Sequence, residues 1–126
     1  MRPATLLLLA LGGVAAGCLY TPDANGHATV PDGVTSIGDA AFKDCFTLVS
    51  IVLPSSVTSI GDEAFRACVR LVSMKLSDGL VSIGDQAFAY CSSLDSIALP
   101  DDISSIGSQA FHYCSSLALV YVPPAP

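Results

Sequence analysis

Ser36-Ile37-Gly38-Asp39-Ala40-Ala41-Phe42-Lys43-Asp44-Cys45 decides the fold, because the same ten-residue pattern returns three times. It reappears as Ser59-Ile60-Gly61-Asp62-Glu63-Ala64-Phe65-Arg66-Ala67-Cys68, as Ser82-Ile83-Gly84-Asp85-Gln86-Ala87-Phe88-Ala89-Tyr90-Cys91, and as Ser105-Ile106-Gly107-Ser108-Gln109-Ala110-Phe111-His112-Tyr113-Cys114. The interval is 23 residues each time, without insertion. A fixed period in this range marks a solenoid, in which one unit cannot bury its apolar face alone and does so against its neighbours.

Downstream of each cysteine comes an L-x-x-I-x-L run: Leu48-x-x-Ile51-x-Leu53, Leu71-x-x-Met74-x-Leu76, Leu94-x-x-Ile97-x-Leu99 and Leu117-x-x-Val120-x-Val122. The end of each run alternates inward and outward positions, and Pro54, Ser77-Asp78-Gly79, Pro100 or Pro123 follows, so each repeat predicts one short strand and a turn. Counting back by 23 exposes a degenerate fifth strand at Ala28-Thr29-Val30-Pro31, with Asn25 in place of the leading leucine. At the other end Pro123 and Pro124 lack amide donors and weaken further strand addition.

Val34, Val57, Leu80 and Ile103 lead the return limb of each unit into the repeated Ile and Gly. Gly38, Gly61, Gly84 and Gly107 are expected where the backbone turns and a side chain would not fit. Asp39, Asp62, Asp85 and Ser108 are good N-cap residues, so each A-F-x-x-C stretch predicts a short helical turn. The expected architecture is a right-handed α/β solenoid, with a parallel β-sheet on the concave side and short helical turns on the convex side. Stacking at about 4.8 Å would set the Phe, Cys, Leu and Ile columns into buried ladders.

Met1 to Thr5 carries one positive charge, Leu6 to Ala16 is apolar or glycine, and the small residues Ala15-Ala16-Gly17 precede Cys18. This is the layout of a secretory signal, and the apolar stretch is shorter than the roughly 20 residues that span a bilayer. Residues 1–17 are therefore expected to be a signal peptide, 18–27 an N-terminal edge segment, 28–123 the repeat domain and 124–126 a tail. Cleavage after Gly17 would leave Cys18 first, which resembles a bacterial lipobox except that Ala15 stands where leucine is usual. Ordinary secretion is the favoured route, with membrane attachment only if Cys18 is lipidated.

The net charge is −6, and the basic residues are Arg2, Lys43, Arg66, Arg70 and Lys75. No basic run or aromatic-interleaved basic stripe occurs, which argues against nucleic acid and anionic headgroups as partners.

In an exported chain the five cysteines first suggest disulfides. Yet Cys45, Cys68, Cys91 and Cys114 occupy one inward column, so the favoured reading is four buried free thiols acting as small hydrophobes. A bond between adjacent repeats remains geometrically arguable. Sulfurs strung along about 15 Å cannot converge on one tetrahedral zinc ion. Calcium between coils at Asp39, Asp62 and Asp85 is less economical than capping, because a hard cation wants six to eight oxygens. His27 and His112 lie in different parts of the repeat without a positioned partner, and no nucleophile elbow, P-loop or H-E-x-x-H occurs. No catalytic, cofactor or metal residue is expected, and no enzyme.

The pattern I-G-D/S-x-A-F-x-x-C-x-x-L-x-x-I-x-L-P resembles the BspA-type leucine-rich repeat over about residues 28 to 123, departing at Asn25, Ser77 and Ser108. The resemblance implies a curved solenoid of secreted or cell-surface proteins, several of them linked to adhesion or protein binding. The expected partner is a protein or a surface glycan, held without chemistry on outward strand positions. These form two columns: His27, Ser50, Ser73, Ser96 and Leu119, then Thr29, Val52, Lys75, Ala98 and Tyr121. Tyr121 with Leu119 is the candidate hot spot, against the alternative that the pair merely covers the last coil. The alternative function is a structural wall or coat component that self-associates through its end coils.

Overall fold

The computed structural model describes residues 17–121, so the expected signal segment apart from Gly17, and the Pro123-Pro124 end, lie outside the described residues. Nine short strands follow one another: β1 (His27–Thr29), β2 (Ser36–Ile37), β3 (Ser50–Val52), β4 (Ser59–Ile60), β5 (Ser73–Lys75), β6 (Ser82–Ile83), β7 (Ser96–Ala98), β8 (Ser105–Ile106) and β9 (Leu119–Tyr121). All pairings are parallel. His27 pairs with Ser50, Ser50 with Ser73, and Ser96 with Leu119, which is the register that a period of 23 dictates. The odd-numbered strands are the five expected from the L-x-x-I-x-L runs and the degenerate edge. Their hydrogen-bonded ladder runs β1-β3-β5 and then β7-β9.

The even-numbered strands form a second parallel sheet, in the order β2-β4-β6-β8. The sequence reading missed it, although the Ser-Ile pair that opens every repeat is its signature. Two residues suffice for a strand here because each coil is held in register by its neighbours rather than by strand length.

The limb from Gly to Cys contains no helix, which corrects the expected helical turns. Ala40 and Asp44 adopt left-handed φ values of 58° and 62°, and the pattern repeats at Glu63 and Ala67, Gln86 and Tyr90, and Gln109 and Tyr113. A helix cannot pass through two such residues in five. Alternate amides instead go to different partners. Ala41, Lys43 and Cys45 donate within the coil to Gly38, Ala40 and Phe42, while Ala40, Phe42 and Asp44 donate to Asp62, Ala64 and Arg66 of the next coil. The amides of residues 40–45, 63–68 and 86–91 are thereby all satisfied without an i−4 bond, as burial of this backbone demands.

The aspartates are not helix caps either. Oδ1 of Asp39 accepts from the Asp62 amide at 2.8 Å, Asp62 from Asp85, and Asp85 from Ser108, again at 2.8 Å. The glycines serve that ladder. A Cβ on Gly61, Gly84 or Gly107 would overlap the aspartate carboxylate and backbone of the preceding coil, whereas one on Gly38 would meet nothing within 4 Å.

The core is a set of columns. Phe42, Phe65, Phe88 and Phe111 stack with centroids 5.1, 5.2 and 5.3 Å apart and interplanar angles of 5°, 3° and 1°. Beside them run buried Ile37-Ile60-Ile83, Leu48-Leu71-Leu94 and the cysteine column. Ser77, which stands where its neighbours have Pro54 and Pro100, is buried and donates its hydroxyl to the Val57 carbonyl. Its own carbonyl accepts from Leu80, as Pro54 does from Val57 and Pro100 from Ile103, so the departure leaves the turn unchanged.

The cysteine column departs from the expected four free thiols at its first member. Cys45 is bonded to Cys18, 27 residues earlier, with a Cα–Cα distance of 5.0 Å. Cys68, Cys91 and Cys114 are free. Each donates its thiol to the phenylalanine carbonyl of the preceding coil, Phe42, Phe65 and Phe88 respectively, at 3.0 to 3.1 Å. At Cys45 the equivalent register position is Leu19, and the Cys45 sulfur is bonded to Cys18.

Candidate interaction surface

The two outward columns lie where the strand register puts them. His27, Ser73, Ser96, Thr29, Val52, Lys75 and Ala98 are exposed and Ser50 is half-buried, while Ala28, Ile51, Met74 and Ile97 between them are buried. Leu119 and Tyr121 pair through their backbones with Ser96 and Ala98, and their side chains lie outside the described part. The hot spot expected of them belongs there too.

Geometry ties the two ends of this face differently. At β1, the Asp23 carboxylate accepts from the amides of Asn25 and His27 at 2.8 and 3.0 Å, which starts the strand and holds the Asp23 carboxyl below the usual carboxylate range. Nδ1 of His27 contacts the Ser50 hydroxyl across the β1–β3 pair. His27 thus has a partner, contrary to expectation, but Asp23 takes backbone amides and not the imidazole in the hydrogen bonds described. The contact joins two strands on an open face.

Between β5 and β7 the ladder is interrupted after Asp95 donates to Val72 at 3.1 Å. A groove of about 420 Å³ opens there, lined by Ser73, Met74, Lys75 and Leu76 on one side and Ser96 to Pro100 on the other. Ser73, Lys75 and Ser96 of the expected surface are brought together in it. Lys75 is the basic residue of the two columns, and Asp78 lies at the end of the same groove. Small hydroxyls, one cation and freed strand edges suit an extended polar chain, whose main-chain groups could pair with a sheet edge.

Two further surfaces escaped the sequence reading. The Ser-Ile-Gly-Asp stretches of the first three coils and Ser105-Ile106-Gly107 of the fourth line a broad depression of about 480 Å³ over the second sheet. On the turn limb, Tyr90 and Tyr113 stack at 5.2 Å, the Arg66 guanidinium lies 4.9 Å from the Tyr90 centroid, and His112 is 4.1 Å from the ring of Tyr113. Counting rows by 23 finds this column as readily as it finds the phenylalanines, because Asp44, Ala67, Tyr90 and Tyr113 are in register. A polar row runs beside it. Lys43 pairs with Glu63 at 3.1 Å, Arg66 Nε donates to Gln86 at 3.1 Å, and Gln86 donates to Gln109 at 3.3 Å.

Among the described residues no group of three or more His, Cys, Asp or Glu side chains is placed to hold a metal ion. The carboxylates of Asp39, Asp62 and Asp85 each spend an oxygen on the next coil's amide.

Known structures repeat this architecture. A leucine-rich cell surface protein of Faecalibacterium prausnitzii is 34% identical and superposes with a TM-score of 0.75 over 81% of this chain and 26% of its own. The leucine-rich repeat protein of T. pallidum is 34% identical, with a TM-score of 0.65 over 79% of this chain and 59% of its own. A leucine-rich repeat protein of Bacteroides ovatus is 29% identical, with a TM-score of 0.60 over 77% of this chain and 33% of its own. The chain thus spans about a quarter of the length of the first of these and less than two thirds of the second. No curated protein matches it in sequence. The family model described as a BspA type leucine rich repeat region matches residues 17–125 in six copies. With the repeat, the parallel strand ladders and these relatives in agreement, the chain belongs to the BspA-type leucine-rich repeat family.

Proposed function

We propose that the protein is an exported, non-catalytic interaction module that binds a protein on the face formed by β1, β3, β5, β7 and β9. The observation that carries this reading is the groove between β5 and β7, where Ser73, Lys75 and Ser96 lie together beside unlinked strand edges. An extended segment bearing a carboxylate fits that set: its backbone finds donors and acceptors, and its charge finds Lys75. The description of the F. prausnitzii relative as a cell surface protein supports secretion or surface display, and a family of repeat scaffolds supports binding rather than chemistry.

A photoreactive side chain placed at Ser96, and separately at Arg70 in the exposed turn between Cys68 and Leu71, tests the reading on cells that display the protein. Adducts are expected from position 96, absent from position 70, and lost when Lys75→Glu is added. Equal labelling from both positions would place binding elsewhere.

A further inference from the structure

Cys18 occupies a place that is incompatible with one of the two fates open to an N-terminal cysteine of an exported chain. It is buried at 4% exposure and belongs to the same core cluster as Phe42 and Cys45. The residues around it form a cap on the first coil. Leu19 donates its amide to the Ala41 carbonyl at 2.9 Å, and the Tyr20 ring lies 6.3 Å from that of Phe42, at the end of the phenylalanine stack. Gly17, at φ 85°, passes so close to the Lys43 carbonyl that a Cβ there would overlap it.

We propose that Cys18 is not a lipid attachment site and that it is retained as the disulfide half of an N-terminal cap, oxidised with Cys45 in the compartment to which the chain is exported. A lipid anchor consumes the cysteine sulfur as a thioether and holds that residue at the bilayer surface. Here the one sulfur is bonded to Cys45 inside the core. Forming the bond removes a proton and an electron from each thiol. The oxidant is a protein or small-molecule disulfide, which takes the two electrons and two protons and leaves as two thiols.

Position in the stack explains why this pair and no other is oxidised. Cys68, Cys91 and Cys114 each already donate to the carbonyl of the coil before, within closed columns. Only at the first member of the column does an extra cysteine, Cys18, arrive from outside the 23-residue register of the other four. The compartment rests on the export reading above, whereas the bond rests on the packing of residues 17–20.

The test is peptide mapping of the full chain made in a host with an intact export pathway. Denatured protein is alkylated with one reagent, then reduced and alkylated with a second. Cys18 and Cys45 are expected to carry only the second label, with the leader removed, and Cys68, Cys91 and Cys114 only the first. A diacylglyceryl thioether on Cys18, or a free Cys18 after leader removal, would overturn the proposal and leave export standing. A retained leader with all five cysteines bearing the first label would overturn both. In a second measurement Cys18→Ser is expected to speed amide exchange at Lys43 and Cys45 by about tenfold or more while leaving Phe88 unchanged, as local fraying does. Unchanged exchange at all three would overturn the cap.

Discussion

The Cys68 thiol donates to the carbonyl of Phe42, 26 residues earlier, at 3.0 Å. The bond crosses from one coil to the one before it, and the same bond recurs at Cys91 and Cys114. Three of the four cysteines of the repeat are therefore polar stitches as well as core.

Burial pushes the Cys68 thiol up to about 12 from an ordinary 9.0, and raises that of Cys91 for the same reason. The folded state favours the protonated thiol, so its contribution to stability is complete below pH 9 and is lost as pH rises toward 12. Native protein at pH 8 should resist alkylation at both positions until denaturant is added, and its melting temperature should fall steeply above pH 9. Rapid labelling of Cys68 in the folded protein would contradict the buried column.

Phe65→Ala should cost roughly 3 to 5 kcal/mol, the range for truncating an interior aromatic, because Phe65 is stacked on both faces. Phe111→Ala should cost less, since Phe111 is only partly buried. Urea denaturation of both variants at one pH checks the order as well as the size.

The glycines separate two explanations of their recurrence. Gly84→Ala should destabilise by about 1 to 3 kcal/mol through overlap with Asp62. Gly38→Ala, with open space in front of it, should stay within about 0.5 kcal/mol of the parent. Thermal melts of the pair would reveal equal penalties if the glycines served a turn rather than the aspartate ladder.

Ala67 sits at φ 62°, where glycine is at ease and alanine is not. Ala67→Gly should therefore be neutral or mildly stabilising, whereas the same change inside a helix would cost about 1 kcal/mol. An unfolding free energy from chemical denaturation lowered by that amount would argue for a helical limb.

Much of this architecture was legible because period and alternation are carried by side chains. The 23-residue spacing placed β1, β3, β5, β7 and β9, their register, and the Phe and Leu columns. The limb was misread because Asp followed by A-F-x-x-C satisfies a helix cap and a coil-to-coil acceptor equally well. Nothing in Ala40 or Glu63 announces a left-handed backbone, which neighbouring coils impose through their carbonyls. The Cys18–Cys45 bond was hidden for a related reason: Cys18 lies outside the repeat register, and only the folded first coil brings it to Cys45. The candidate surface was half legible. Ser73, Lys75 and Ser96 were placed by register, but the opening between β5 and β7 depends on a ladder interruption that no residue type signals.

The central structural claim is that the limb amides bond from coil to coil, and it is tested most directly by scalar couplings across hydrogen bonds in the NMR spectrum of the oxidised protein. The Phe65 amide should couple to the Ala87 carbonyl, 22 residues ahead, with matching couplings from Phe42 to Ala64 and from Phe88 to Ala110. A coupling from Phe65 to the Gly61 carbonyl, four residues behind it, would mean a helix and would contradict the solenoid as described.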